Sequence, residues 1–338
     1  MNLPPWLVFL AVVPPLALGV WYEIRAYRVA SFDGIGLFVA FLYGMTVEAL
    51  SLHTQHQYDY ANWVLMFGVR PDWVPYAIGV CWASIMYVVM RTSDALKFKW
   101  WHRPIFDGAA AMIMDLALDP SMSATRMVAN LNFPCMDVIT APLGGLGLWT
   151  WCVTPSSHTP MWFTVPIANF LGWWAVITMF SIMARLGERY CHPEKRSRWG
   201  QFVLLLGLAA LALGGCFIIG PIEIKLASGP NWIAHVALGV VTAAPFVLVL
   251  LQIKKLDFHN SFPAWRLAWP AYAYLVWGGL FFVMRLDRAA WPEAAWQMAA
   301  TICLGVFVLL LPYLGTITRR PALSGAGHTV SRHARDHG

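Results

Sequence analysis

Three carboxylic acids, Glu48, Asp115 and Asp119, stand in stretches apolar enough to lie within a bilayer. Around the last two the sequence sets an amide and several indoles, in the runs Leu118-Asp119-Pro120, Gly147-Leu148-Trp149-Thr150-Trp151 and Val165-Pro166-Ile167-Ala168-Asn169-Phe170-Leu171-Gly172-Trp173. An ionisable group at membrane depth is costly to keep, so each is a candidate for function. A carboxyl group moved into low dielectric favours its neutral form, which makes it a proton donor held in reserve. Indoles suit the headgroup belt of a membrane and can also line a pocket for an unsaturated ligand.

The elements that must position these groups follow from composition. Of 338 residues, 59% are hydrophobic and 12% charged, with a mean hydropathy of +0.58. A soluble domain of this length exposes far more charge, so the chain reads as an integral, polytopic membrane protein. The net charge of +6 does not point to nucleic acid, because the Lys and Arg residues sit in short connectors between apolar runs; orientation in the membrane explains them. Six cysteines show no paired CxxC spacing, and most read as small core residues with no zinc or iron–sulfur site. Cys135 and Cys152 share one connector and could form a disulfide if it faces an oxidising space. The first apolar run, Trp6 to Tyr22, lacks a preceding basic region and reads as a retained span.

The fold class expected is all-α. Apolar windows fall near residues 4–22, 34–52, 73–91, 105–119, 161–184, 201–220, 231–251, 267–284 and 295–313, about nine transmembrane helices. With the N-terminus outside and the C-terminus cytoplasmic, eighteen of the 23 Lys and Arg residues fall on the inner side, as in a bacterial inner membrane. Met136 to Val153 is apolar enough to tempt a tenth helix, but Pro142, Gly144, Gly145 and Gly147 interrupt it. It reads as a re-entrant or interfacial segment between helices four and five. Residues 1–314 form one transmembrane domain, and 315–338 read as a disordered basic cytoplasmic tail able to touch anionic lipid. No tandem repeat is visible, and an odd helix count argues against two inverted halves.

Orientation gathers the polar residues on one leaflet. Helix two rises outward, so Glu48, fourteen residues past Gly34, sits roughly 21 Å up a core about 30 Å thick. Helix four runs the same way and carries Asp115 and Asp119 one turn apart on one face. Asn169 and Trp173 descend from the outer surface on helix five, and His235 enters near the top of helix seven. Each has a structural reading as well. Asp119 before Pro120 suits a helix end, Glu48 and Asn169 suit interhelical hydrogen bonds, and the tryptophans suit packing. His53 and His56, near the outer end of helix two, read as interfacial polar groups, with metal binding the alternative.

Several of these residues, in order, resemble the integral-membrane carotenoid biosynthesis proteins that include the γ-carotene and bisanhydrobacterioruberin hydratases. The resemblance rests on Glu48 followed by Tyr58-Asp59-Tyr60, then Gly68-Val69-Arg70-Pro71 leading into a span with Trp82 and Tyr87. Asp115 with Leu118-Asp119-Pro120 follows, then the Gly147 and Val165 runs given above. It covers roughly residues 35 to 185. It implies addition of water across a terminal isoprenoid double bond of an acyclic carotenoid end group, giving a tertiary alcohol, with no cofactor or metal required. On that reading Asp115 or Glu48 is the acid, and Asp119 with Asn169 positions the water. Tyr58, Tyr60, Trp149, Trp151, Trp173 and His235 bind the substrate, and the rings of Tyr58 and the three tryptophans offer cation–π contact to the tertiary cation. Partners would be the lipophilic polyene, water, membrane lipid and other carotenoid biosynthesis enzymes.

Rival classes need features the sequence does not show. A prenyltransferase could use Asp115-x-x-x-Asp119 as half of an acidic magnesium–diphosphate site, but it needs a second acidic motif and nearby cations. A di-iron desaturase needs histidine boxes, and the ten histidines are scattered. A cyclase or isomerase acting on another polyprenyl chain could use the same acid and aromatic cage. A lipid or polyprenyl transporter or binding protein would place the polar cluster in a translocation path.

Overall fold

Backbone groups in hydrocarbon find no water, so each apolar run closes its hydrogen bonds within itself as a helix. The computed structural model describes residues 4–55, 57–69, 72–128, 143–144, 146–153, 159–163, 165–227, 230–258, 263–285 and 291–314. Seven long helices come first: α1 (Pro5–Val29), α2 (Ser31–Gln55), α3 (Tyr76–Ala95), α4 (Arg103–Met122), α5 (Ile167–Tyr190), α6 (Arg198–Ala227) and α7 (Asn231–Gln252). Then α8 (Ala268–Tyr272), a π turn (Ala273–Gly278) and α9 (Gly279–Arg285) run on as one segment, followed by α10 (Trp291–Leu310). Each apolar window read from the sequence overlaps one of these segments, although 73–91 and 161–184 begin three and six residues before their helices. Among the described residues, six are long and apolar enough to cross a membrane: α1, α2, α5, α6, α7 and Ala295–Tyr313. The tail from residue 315 lies outside the described residues.

α4 is the central helix. Every residue from Phe106 to Met122 is buried, so this helix is enclosed on all sides, whereas α6 and α7 turn rows of leucine, valine and isoleucine outward, as lipid contact requires. Small residues let α4 sit close to its neighbours. A side chain at Gly108 would collide with Thr178 Oγ1 and come within 2.5 Å of the Trp174 carbonyl oxygen, so α4 and α5 meet there backbone to backbone.

Two helix-interior prolines mark where tertiary partners enter. Pro120 has no N–H for the carbonyl of Leu116, and the Trp162 indole donates to that oxygen at 3.2 Å. α4 therefore continues to Met122, and Asp119 does not end it. Pro14 likewise leaves the Leu10 carbonyl without its helical donor, and the Tyr272 hydroxyl donates to it, tying the segment after α7 to α1.

The connectors at one end of the bundle are not helical. They form β1 (Tyr58–Tyr60), β2 (Met66–Phe67), β3 (Val74–Pro75), β4 (Ser123–Met127), β5 (Leu143–Gly144), β6 (Trp149–Val153), β7 (Met161–Trp162) and β8 (Val165–Pro166). β1, β6, β4 and β5 make one sheet in that order, with β1 antiparallel and β4 parallel to β6. The segment expected not to form a tenth helix, Met136 to Val153, is non-helical in its described part: residues 143–144 and 149–153 are strand, with 146–148 a loop between them. Strand neighbours satisfy its backbone, and Gly147, at φ +73°, makes the left-handed turn that starts β6.

At the other end the helices are clamped by ions. Arg185 on α5 bonds Asp107 on α4 at 2.8 Å and Asp94 on α3 at 2.6 Å. Arg91 joins Asp94 to Asp33 on α2, and Arg103 also bonds Asp94. Arg185 falls just past the apolar window 161–184, where a connector charge is expected, yet it lies inside α5 with a side chain only 4% exposed, opposite a fully buried Asp107. Removing one member strands the others. Arg185→Ala should cost about 3–5 kcal/mol, read as a large fall in the detergent-solubilised unfolding midpoint, and an unchanged midpoint would show that the clamp is dispensable.

Candidate functional site

The pleat of β1 and β6 decides which side chains enter the bundle. Residues two apart in a strand share a face, so Tyr58 and Tyr60 point the same way, as do Trp149 and Trp151. The antiparallel register sets Tyr58 opposite Trp151 and Tyr60 opposite Trp149, with ring centroids 4.8 and 6.0 Å apart. Two strands thus present four aromatic rings, each carrying one hydrogen-bond donor, over the ends of α2 and α4.

Those donors meet the acids. The Tyr58 and Tyr60 hydroxyls donate to Glu48 Oε2 at 2.5 and 3.0 Å, and Trp82 Nε1 on α3 donates to Oε1 at 2.7 Å. The indoles of Trp149 and Trp151 both donate to Asp119 Oδ1, at 2.9 and 3.2 Å. Burial, and then the Glu48 carboxyl beside them, pushes both phenols well above their ordinary value, so Tyr58 and Tyr60 remain donors at any physiological pH.

Asn169 links the pair on α4. It stands in the first turn of α5, and its Nδ2 donates to Asp115 Oδ2 at 3.0 Å and to Asp119 Oδ2 at 2.7 Å. Both oxygens of Asp119 therefore accept hydrogen bonds. Asp115 has the lighter shell: its Oδ1 has no hydrogen-bond partner among the described residues. One turn after Asn169, Trp173 stacks on Trp82 with centroids 3.7 Å apart and planes within 3°.

These groups line one partly open cavity. Glu48, Asp115, Asp119, Asn169, Tyr58, Tyr60, Trp149, Trp151 and Trp173, all expected from the sequence, lie on its wall. His235 does not. It is exposed on α7, with Nδ1 on the Asn231 carbonyl at 2.7 Å, because depth along a helix says nothing about which face a residue occupies. His53 pairs with Asp72 at 3.0 Å on the surface, and His56 lies outside the described residues. Five aromatic residues on the wall were not expected as site residues from the sequence: Trp63, Trp82, Trp269, Tyr272 and Trp277. Trp82 stood in the motif run without a role, and the aromatic density of residues 265–277 was the unread signal for the last three. No Lys or Arg is among the described lining residues.

Cys152 on β6 is disulfide-bonded, and Cys135, the partner considered from the sequence, lies outside the described residues. Tyr58→Phe or Tyr60→Phe leaves Glu48 one donor short, at a cost of about 1–3 kcal/mol. Thermal unfolding followed by tryptophan fluorescence should show it, and a midpoint equal to that of the parent chain would mean the phenol hydrogen bonds carry no load.

Comparison with known proteins agrees with the motif order. A family model described as carotenoid biosynthesis protein matches residues 8–245. No curated protein and no solved structure matches the chain.

Proposed function

The chain belongs to the carotenoid biosynthesis protein family, and from that premise we propose that it hydrates a terminal isoprenoid double bond of an acyclic carotenoid end group to a tertiary alcohol. The observation that carries the proposal is the Asp115–Asn169–Asp119 bridge on the wall of a cavity otherwise lined by indoles, phenols and aliphatic groups. Two anions joined by one amide in so apolar a place repel each other, and one proton retained between them relieves the repulsion. Asp115, with Oδ1 unengaged among the described residues, is the side that offers it.

The steps balance without a redox partner. Asp115 gives its proton to the less substituted alkene carbon, whose π electrons form the new C–H bond. The tertiary cation left behind is sheltered by ring faces, a contact worth up to about 2 kcal/mol when desolvated. Water then forms the C–O bond, and its proton returns to the Asp115 and Asp119 pair, restoring the starting state. Asp119, held by three N–H donors, is a fixed anion that orients the water; Glu48, held by three donors of its own, anchors Tyr58, Tyr60 and Trp82.

Two further observations support the setting. A disulfide-bonded Cys152 beside the site suits an extracytoplasmic face, in agreement with an N-terminus outside and basic residues inside. The absence of Lys and Arg from the described cavity wall leaves a diphosphate without a cradle, which disfavours a prenyltransferase.

Expression in a host that makes lycopene or γ-carotene should yield a product heavier by one water in mass spectra of the pigments. Asp115→Asn should lower its yield by roughly a hundredfold or more while the protein stays in the membrane. Full hydration by that variant would remove Asp115 from the acid role, and pigment unchanged by the parent chain would remove the reaction.

A further inference from the structure

The cavity extends beyond the acids. Ile78, Cys81, Trp82 and Ile85 line it from α3 at spacings i, i+3, i+4 and i+7, so one face of that helix borders it over about 10 Å. The rest of this extension belongs to α1 and to the segment that follows α7. We propose that an apolar arm walled by Ala11, Pro15, Ile85, Trp269, Tyr272 and Trp277 seats the conjugated chain of the substrate and selects which polyene reaches the carboxyls; this rests on the reading of the acid end as the reacting site.

Three features make the arm a built wall. First, the π turn sets its register. In an uninterrupted α-helix the face holding Trp269 and Tyr272 would next present Val276, at i+7. The extra residue of Ala273–Gly278 advances that face by one, so Trp277 is the side chain on the cavity and Val276 is not. Second, the wall is pinned. The Tyr272 hydroxyl occupies the Leu10 carbonyl that Pro14 frees, which holds the aromatic segment against α1. Third, Trp269 is buried at 3% exposure, and its Nε1 has no hydrogen-bond partner among the described residues. A conjugated chain offers a π face, the weak acceptor that such an N–H can use without bringing a polar atom into the arm.

The position in the chain fits a selecting role. The acids and their donors lie within residues 8–245, the part matched by the family model, whereas Trp269, Tyr272 and Trp277 lie beyond it. Changes in the arm can therefore alter the chain accepted without touching the proton-transfer groups.

The test is retention of polyene by the full chain purified from a lycopene-producing host, in an Asp115→Asn background so that turnover does not deplete the ligand. Pigment per protein is read by absorbance. Adding Trp277→Ala or Trp269→Ala should lower retention by about tenfold, the loss of one large aromatic contact. Ala11→Leu, which fills the arm and removes no wall, should do the same, and Trp277→Phe should restore most of the retention. Ala11→Leu keeps the proposal testable if a tryptophan variant fails to fold. Retention equal to the background in the folded Ala and Leu variants overturns the arm, as does a background protein that holds no polyene. A parent chain that retains polyene through the arm but forms no hydrate leaves the arm standing and removes the hydration reading alone.

Discussion

A carboxyl oxygen enclosed by a lipid-facing bundle is costly to bury unless the protein supplies it with hydrogen-bond donors. That requirement explains why strands cap one end of an otherwise helical molecule. A helix spends its own N–H groups internally and offers only side chains. A strand pair offers side chains in register on one face, and β1 and β6 deliver two phenols and two indoles to two acids at once. Glu48, Asp119 and the sheet are therefore one construction, and neither acids nor sheet has an evident reason to exist without the other.

α4 shows how donor type separates structure from chemistry. Asp107 and the pair Asp115 and Asp119 stand on the same buried helix. Asp107 meets the Arg185 guanidinium, a permanent cation, in an ion pair that locks α3, α4 and α5 together. Asp115 and Asp119 meet an amide and indoles, which donate hydrogen bonds but bring no compensating charge. The first arrangement consumes the carboxylate in an ion pair. The second leaves both carboxyls without a cation, and it opens onto the aromatic cavity.

Much of this was legible in the sequence because length of apolar run and position along a helix are one-dimensional signals. The helical windows, the placing of Glu48 on α2 and Asp115 on α4, and the convergence of Asn169 and Trp173 on them all follow from counting residues along helices. What failed were questions of rotation and partner. His235 lies in the first turns of α7 but on an exposed face. Arg185 looked like a connector charge because only the folded bundle brings Asp107 and Asp94 around it. The Trp149 to Val153 run is as apolar as a helix, and its strand character depends on β1 and β4 being beside it. The aromatic residues after α7 resembled membrane-belt composition until the Leu10 carbonyl and the π turn gave them a direction.

The central claim is that the Asp115 and Asp119 pair moves a proton onto a polyene end group and a water oxygen follows it. Isotopic labelling of the product tests this most directly. Pigment formed by the parent chain in deuterated, oxygen-18 water should carry one oxygen-18 in its new hydroxyl and one non-exchangeable deuterium on the adjacent carbon. Oxygen drawn from dioxygen, or a hydroxylated product with no deuterium on carbon, would contradict the account.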